Sequence, residues 1–125
     1  MSDGSRHSVA FFRETAFGVL PTTPAFKNIR TTSCNLALNK NSSESGEIRP
    51  DRQITNFKHG AQNVAGDLGF KFSATTFDDF LESALGGTWA ANVLEVGVQR
   101  RSYLIERYFG DLQAADKPWH RFNGC

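Results

Sequence analysis

The sequence predicts an α+β fold that is mainly β: two packed antiparallel sheets, sandwich-like or barrel-like, with one flanking α-helix, an extended N-terminal arm and long loops. Short segments of alternating apolar and polar residues recur along the chain, as is typical of strands with one buried face. One segment, "TTFDDFLESALGG", changes to the apolar spacing of a helix. The 11 phenylalanines supply large side chains of a type that favours strands, so they are expected to fill the core.

The chain of 125 residues is long enough to bury a core without disulfide bonds. We predict a single domain over residues 1–125, with an N-terminal arm at 1–30 and a core of sheet and helix at 31–125. The chain ends soon after a β-like segment begins at Trp119, so we expect the core to be incomplete at its C-terminal end.

The arm is predicted because Pro21 and Pro24 exclude a continuous helix and a central strand from this part of the chain. Four apolar side chains of the arm require burial, either on the same domain or on a neighbouring molecule. These residues are Phe17, Val19, Leu20 and Phe26.

The first core strand is predicted around Cys34, Leu36 and Leu38, which share one face. A charged loop containing Pro50 follows, with a short edge strand predicted near residues 53–57. The clearest alternation comes next, in "NVAGDLGFKFS", and it predicts a strand with one apolar face. The apolar residues on that face are Val64, Leu68, Phe70 and Phe72.

The helical segment carries one apolar stripe at spacings of three and four residues. Its members are Phe77, Phe80, Leu81, Ala84 and Leu85. Thr76 is predicted to cap the N-terminus together with Asp79, and Asp78 and Asp79 suit the positive end of the helix dipole. Gly86 or Gly87 is predicted to end the helix in the left-handed conformation.

Two further strands are predicted at residues 94–99 and 103–106. The alternation changes phase at Arg100 and Arg101, which leaves two alternatives: a long hairpin, or one strand broken by a bulge. A loop follows, before the β-like segment at Trp119.

Charge and cysteine content limit the class of protein. With 14 basic and 13 acidic residues the net charge is +1, so no strong field attracts nucleic acid or an anionic membrane. The two cysteines, Cys34 and Cys125, are too few for a disulfide framework, which favours a protein that stays reduced in a cytoplasm. The sequence shows neither a signal peptide nor a run of about 18 apolar residues, which argues against secretion and membrane insertion.

No catalytic constellation is evident in the sequence. His7, His59 and His120 are isolated, and the adjacent Asp78 and Asp79 point in different directions from a helix, so they cannot act as an acid/base pair. Phosphate-binding loops and metal-ligand spacings are also not found. We therefore predict no catalytic residue, no cofactor, no metal and no enzymatic activity.

The order of several segments carries a resemblance. "RETAFGVLPTTPAFKNIRTT", "EIRPDRQITNFKHG", "VAGDLGFKFSATTFDDFLESALGGTW" and "RRSYLIERYF" follow one another before "RFNGC". In this order, over about residues 6–125, they resemble the N-terminal portion of the tail tube proteins, or major tail proteins, of long-tailed bacteriophages and prophages. The resemblance implies two packed antiparallel sheets with one helix, and a structural protein of the virion tail.

The resemblance also implies partners. Six subunits form a ring whose inner sheets join into a β-barrel, and stacked rings form the conduit through which the genome is delivered. The partners are then further copies of the chain, other tail proteins, and double-stranded DNA that passes through the lumen without specific binding. No membrane is involved, and synthesis takes place in the cytoplasm of the bacterial host.

Specific residues acquire roles under this resemblance. The four apolar arm residues are expected to be buried on an adjacent subunit. The loop residues expected to form charge pairs between subunits are Arg49, Asp51 and Arg52. The residues expected to face the lumen or a neighbour are Asp67, Lys71, Glu95 and Gln99.

Two alternatives stay open at the level of sequence. One is another ring component with the tube fold, such as a tail terminator, a baseplate hub or a secretion-system tube, because fold similarity alone does not define function. The other is a small β-barrel module that binds single-stranded nucleic acid or a peptide, which would expose aromatic residues on a basic groove.

Overall fold

The computed structural model describes residues 6–44, 46, 50 and 57–125. Within these ranges the fold is mainly β, with antiparallel sheets and a single α-helix, as predicted. The strands are β1 (His7–Arg13), β2 (Lys27–Ile29), β3 (Thr31–Cys34), β4 (Ala37–Glu44), β5 (Phe57–Ala65), β6 (Leu68–Phe70), β7 (Trp89–Ala90), β8 (Val93–Leu94), β9 (Tyr103–Phe109) and β10 (Trp119–Phe122). Helix α1 spans Asp78–Leu85, and a short 3-10 turn spans Ala114–Asp116.

The largest sheet has four antiparallel strands in the order β10-β9-β1-β2. Strand β1 lies inside this sheet and buries Val9 and Phe11, so the extended arm is shorter than the predicted 1–30. The reason is that proline restricts only its immediate neighbourhood. Pro21 and Pro24 exclude regular structure between β1 and β2 but not before Arg13, and we use "arm" below for residues 14–26.

The strand predicted around residues 34–38 and the strand predicted in "NVAGDLGFKFS" are each divided in two, at positions that lie opposite each other. Strand β3 pairs with β6 and β4 pairs with β5, so together they form one long hairpin with a break in the middle. At the break the Asn35 amide donates to the Asp67 carbonyl at 2.9 Å. Gly66 has φ of +149°, and a Cβ there would lie 2.4 Å from the Asn35 carbonyl oxygen. The close approach of the two chains therefore requires glycine at this position.

The part of this hairpin that β4 and β5 form is longer than expected. Strand β4 continues to Glu44 and β5 begins at Phe57, so part of the predicted charged loop belongs to the hairpin. The predicted edge strand at 53–57 lies outside the described residues except for Phe57.

The core lies between the four-stranded sheet, β3 and the start of the helix. Its buried members are Val9, Phe11, Ile29, Cys34, Phe77, Tyr103 and Ile105. Phe77 stacks on Phe70 at 4.3 Å between ring centroids, and Phe80 contacts Phe11 at 4.5 Å. Aromatic packing therefore joins the hairpin, the helix and the sheet.

Two predicted apolar faces are only partly buried. On the hairpin, Leu68 packs against the core, whereas Phe70 and Phe72 keep an exposed face beside Phe77. On the helix, Ala84 and Leu85 are exposed although they belong to the predicted stripe. The core is small, so it covers only part of each face.

The predicted helix is confirmed, but its N-terminal cap is not. Phe77 is the N-cap residue and makes no side-chain capping hydrogen bond, so the prediction that Thr76 caps the helix is wrong. Thr75 has φ of +69°, which turns the chain so that Phe77, rather than the threonine, stands at the helix start. Asp78 and Asp79 occupy the first turn, and Gly86 ends the helix in the left-handed conformation with φ of +65°.

The predicted strand at 94–99 is wrong except for Leu94, which is the last residue of β8. Strands β7 and β8 form a tight hairpin through Ala91 and Asn92, which both have positive φ, and the chain then runs as a loop. In this loop Gly97 and Gln99 donate backbone hydrogen bonds to the end of the helix, and Val98 is 98% exposed. The alternation of residues 94–99 therefore reflects neither a long hairpin nor a bulged strand with β9, because β9 pairs with β1 and β10 instead.

Candidate functional site

Two buried acidic side chains stand out in the described part of the chain, and sequence reasoning missed both. Glu14 follows β1, and Glu82 lies in the helix. Buried carboxylates require hydrogen bonds or cations. The sequence contains one signal for each residue. Glu14 directly follows Arg13 at the end of an alternating segment, and Glu82 adjoins the apolar stripe of the helix.

The Glu14 carboxylate joins three segments that are distant in sequence. Its Oε2 accepts hydrogen bonds from the Ser102 hydroxyl at 2.6 Å and from the Gly18 amide at 3.0 Å. Its Oε1 accepts a hydrogen bond from the Gly124 amide at 2.9 Å. We call this arrangement the Glu14 clamp. It ties the arm to the start of β9 and to the segment after β10.

The clamp holds an ionised carboxylate. Burial by itself raises the pKa of Glu14, but the hydrogen bonds from Ser102, Gly124 and Gly18 outweigh it, so the pKa lies below its ordinary value. Nearby, burial and the charge of Glu14 raise the pKa of the Cys125 thiol. At neutral pH, Glu14 is therefore a charged acceptor and Cys125 a protonated thiol.

The clamp fixes an arm whose apolar side chains face outward. Phe17, Val19 and Leu20 are each more than half exposed. The Val19 amide donates to the Ala16 carbonyl at 3.2 Å, which makes a turn around Phe17 and Gly18. Phe26 differs from the other three predicted arm residues, because it is half-buried and packs under the guanidinium of Arg121, 5.5 Å from the ring centroid.

A groove of about 450 Å³ separates the arm from the long hairpin; we call it the arm groove. It is lined by Phe17, Gly18, Leu38, Gln62, Asn63, Val64, Asn123 and Gly124. The lining combines the apolar side chains of Phe17, Leu38 and Val64 with the amide side chains of Gln62, Asn63 and Asn123. Sequence reasoning did not predict that the arm lies beside the hairpin.

Glu82 forms a second network of polar contacts, at the C-terminal end of β1. It forms ion pairs with Arg13 at 3.3 Å and with Arg101 at 3.7 Å, and it accepts the Trp89 amide hydrogen at 3.0 Å. Arg101 also donates to the Glu82 carbonyl and to the Gln99 side chain. This network attaches the helix to β1 and to the start of β9.

The remaining predicted site residues have different positions. Asp67 lies between β5 and β6, Lys71 follows β6, and Glu95 lies in the loop after β8; all three are exposed. Gln99 is also exposed, but its Oε1 accepts a hydrogen bond from Arg101 at 2.8 Å, so it is partly occupied within the chain. The three loop residues predicted to form charge pairs, Arg49, Asp51 and Arg52, lie outside the described residues.

Two of the histidines, His7 and His120, contact the same ring, that of Phe109, with 5.2 and 5.6 Å between ring centroids, whereas His59 lies on β5. His59 and His120 are exposed, whereas His7 is half-buried and accepts a hydrogen bond from Arg107 at 3.3 Å. Burial and the nearby Arg107 charge lower the pKa of His7. In the ranges that the structure describes, no group of three or more acidic, histidine or cysteine side chains is placed to hold a metal ion. The same ranges contain no helix of the length and apolarity needed to cross a membrane.

A family model described as "Phage tail tube protein" matches residues 4–125, nearly the whole chain. A search of curated proteins finds no match. The family match confirms the resemblance of the sequence motifs and makes the protein a structural component of the virion tail, which assembles with itself and with other tail proteins. The chain belongs to the phage tail tube protein family.

Proposed function

We propose that this chain is the repeating subunit of the tail tube: six copies form a ring, and stacked rings form the conduit for genome delivery. The observation that carries the proposal is the arm, whose apolar side chains are exposed although its backbone is fixed. The family match supports self-assembly as the role of such a surface. The subunit is made in the cytoplasm of the bacterial host and functions as a structural protein, not as an enzyme.

The arm is suited to dock on an adjacent copy. Phe17, Val19 and Leu20 would lose exposed apolar surface on docking, which is the main source of binding free energy at such a contact. Because the Gly18 amide and carbonyl are both hydrogen-bonded, little additional ordering of the backbone is required. Phe26 contributes less than the other three, since Arg121 already covers one face of its ring.

The long hairpin supplies a second surface for assembly. Strands β4 and β5 form a two-stranded sheet that is exposed along nearly its whole length. Such a sheet is only marginally stable alone, and its open edges can pair with strands of a neighbour. Arg49, Asp51 and Arg52 lie between these strands in the sequence, and we propose that they form charge pairs between subunits.

The exposed polar residues Asp67, Lys71, Glu95 and Gln99 face the lumen or a neighbouring subunit in this proposal. A conduit requires weak contact with DNA, because every well-made phosphate contact opposes sliding. Mixed charge on these residues, in a chain of net charge +1, meets that requirement. Strong salt-dependent binding of short oligonucleotides would instead indicate a nucleic-acid-binding module.

The test is the assembly state of the purified full chain. Light scattering after gel filtration, with negative-stain microscopy of the same fractions at increasing concentration, should show rings or striated tubes. Arg52→Ala and Asp51→Ala should raise the concentration at which they appear. A chain that stays monomeric at every concentration, alone and with other tail proteins, would contradict the proposal.

A further inference from the structure

We infer that Glu14 is the positioning residue of the arm: its carboxylate holds Phe17, Val19 and Leu20 in the conformation that a second copy of the chain contacts. The inference rests on the proposed function, because it names the residue that prepares the docking surface. The prolines and the Val19–Ala16 hydrogen bond restrict the arm locally, whereas the Glu14 hydrogen bonds attach it to distant segments of the chain.

The geometry of the clamp explains why a carboxylate is needed. Glu14 accepts hydrogen bonds from Ser102, Gly18 and Gly124, and all three groups act as donors. An ionised carboxylate has only acceptor sites, so its two oxygens can accept all three, and the bonds are strengthened by the charge. A glutamine offers one acceptor oxygen, and its amide nitrogen would face a donor. Glu14→Gln therefore removes at least one of these bonds with little change in size.

The clamp acts on the part of the arm that carries the exposed apolar residues. Gly18 has φ of +70°, a conformation that favours glycine, and it lies between Phe17 and Val19. Its amide is bound by Glu14, and its carbonyl accepts a hydrogen bond from the Asn123 side chain at 2.8 Å. On the other side of the clamp, a Cβ at Gly124 would lie 3.2 Å from the Phe17 ring, so this ring rests against the Gly124 backbone.

The clamp is separate from the contacts that attach the helix. The neighbouring residue, Arg13, pairs with Glu82 on the helix. The carboxylate of Glu14 instead accepts hydrogen bonds from the arm, from Ser102 and from the segment after β10. Loss of the Glu14 hydrogen bonds should therefore release the arm without detaching the helix from the sheet.

The experiment compares wild type, Glu14→Gln and the matched control Asp116→Asn, which removes one negative charge from an exposed site on the 3-10 turn. Hydrogen exchange of the Gly18 and Gly124 amides reports the clamp, and exchange of the β1 and β9 amides reports the core. In Glu14→Gln we expect exchange at Gly18 and Gly124 to be about tenfold faster or more, with core exchange changed far less. The concentration at which rings or tubes form should rise about tenfold.

A double variant distinguishes positioning from a general loss of stability. If Glu14 acts through the arm, Glu14→Gln should weaken assembly much less when Val19→Ser is already present. Additive effects, or equal loss of protection at Gly18 and in β1, would overturn the inference. Unchanged protection at Gly18 and unchanged assembly in Glu14→Gln would also overturn it. A wild-type chain that never assembles would contradict the proposed function instead, and protection of Gly18 would still decide whether Glu14 holds the arm.

Discussion

The carboxylate of Glu82 and the guanidinium of Arg101 form a buried ion pair between the helix and the start of β9, with 3.7 Å between Oε2 and Nε. The two side chains are 9% and 3% exposed. Arg13 supplies a second cation to the same carboxylate at 3.3 Å, from a more exposed position. Removal of Glu82 would leave the buried charge of Arg101 without its acidic partner.

We therefore expect Glu82→Ala to lower the free energy of unfolding by about 3 kcal/mol, the usual effect of breaking a buried pair on one side. Urea denaturation followed by circular dichroism measures this change. The control is Glu95→Ala, at an exposed position, which should stay within about 0.5 kcal/mol of wild type. Equal effects of the two substitutions would show that the Glu82 network contributes nothing to stability.

The break in the long hairpin gives a second prediction. Gly66→Ala should destabilise the fold by about 1–3 kcal/mol, since the added Cβ would meet the Asn35 carbonyl oxygen and the backbone has positive φ. Gly60→Ala, on β5, is the matched control, because its Cβ would make only an ordinary contact, 3.5 Å from the nearest atom. Thermal unfolding of both variants checks the prediction, and a Gly66→Ala variant as stable as Gly60→Ala would refute it.

The Glu14 clamp predicts how stability depends on pH. The pKa of Glu14 is lowered in the folded chain, so its contribution is present above the pKa of the unfolded chain and is lost as pH falls through the folded value. We expect the Gly18 amide to be better protected from hydrogen exchange in wild type than in Glu14→Gln at neutral pH, and the difference to shrink between about pH 5 and pH 3.

The ratio of the Gly18 exchange rates in the two proteins, taken at each pH, measures the effect. His7 also has a shifted pKa, but it is present in both proteins, so the difference between them isolates Glu14. A difference that stays constant down to pH 3 would indicate that the carboxylate charge is not what stabilises the clamp.

The exposed arm predicts a selective loss of assembly. Val19 and Val93 are each 56% exposed, the first in the arm and the second in the β7–β8 hairpin. Val19→Ser should raise the concentration needed for rings or tubes, because it removes apolar surface from the proposed contact, while Val93→Ser should not. Both should keep their unfolding free energy within about 0.5 kcal/mol of wild type. Light scattering that shows the same assembly for both would exclude Val19 from the contact.

The lumen proposal predicts a change in DNA contact. In assembled tubes, Asp67→Lys should increase the retention of double-stranded DNA at low salt, and the retention should fall steeply as salt rises. Asp116→Lys makes the same charge change at another exposed site and should have a smaller effect. Equal retention by both variants would place Asp67 outside the lumen.

The sequence by itself determined the mainly β class, the position of the helix, its acidic first turn and its glycine end. These features depend on local spacing, such as the apolar residues from Phe77 to Leu81 and the left-handed preference of Gly86. The order of motifs also led to the correct family. Local spacing was misleading at residues 94–99, where the amides of Gly97 and Gln99 bind the end of the helix instead of another strand.

Only the tertiary structure decided which strands pair and where the buried carboxylates lie. Glu14 meets Ser102 and Gly124 across 88 and 110 residues of chain. The spacing of apolar residues in the sequence does not predict such contacts, because each depends on the register of β1 against β9 and on the path of the chain after β10. The sequence shows that the arm is apolar. The fold fixes its direction, because hydrogen bonds from distant segments converge on one buried charge.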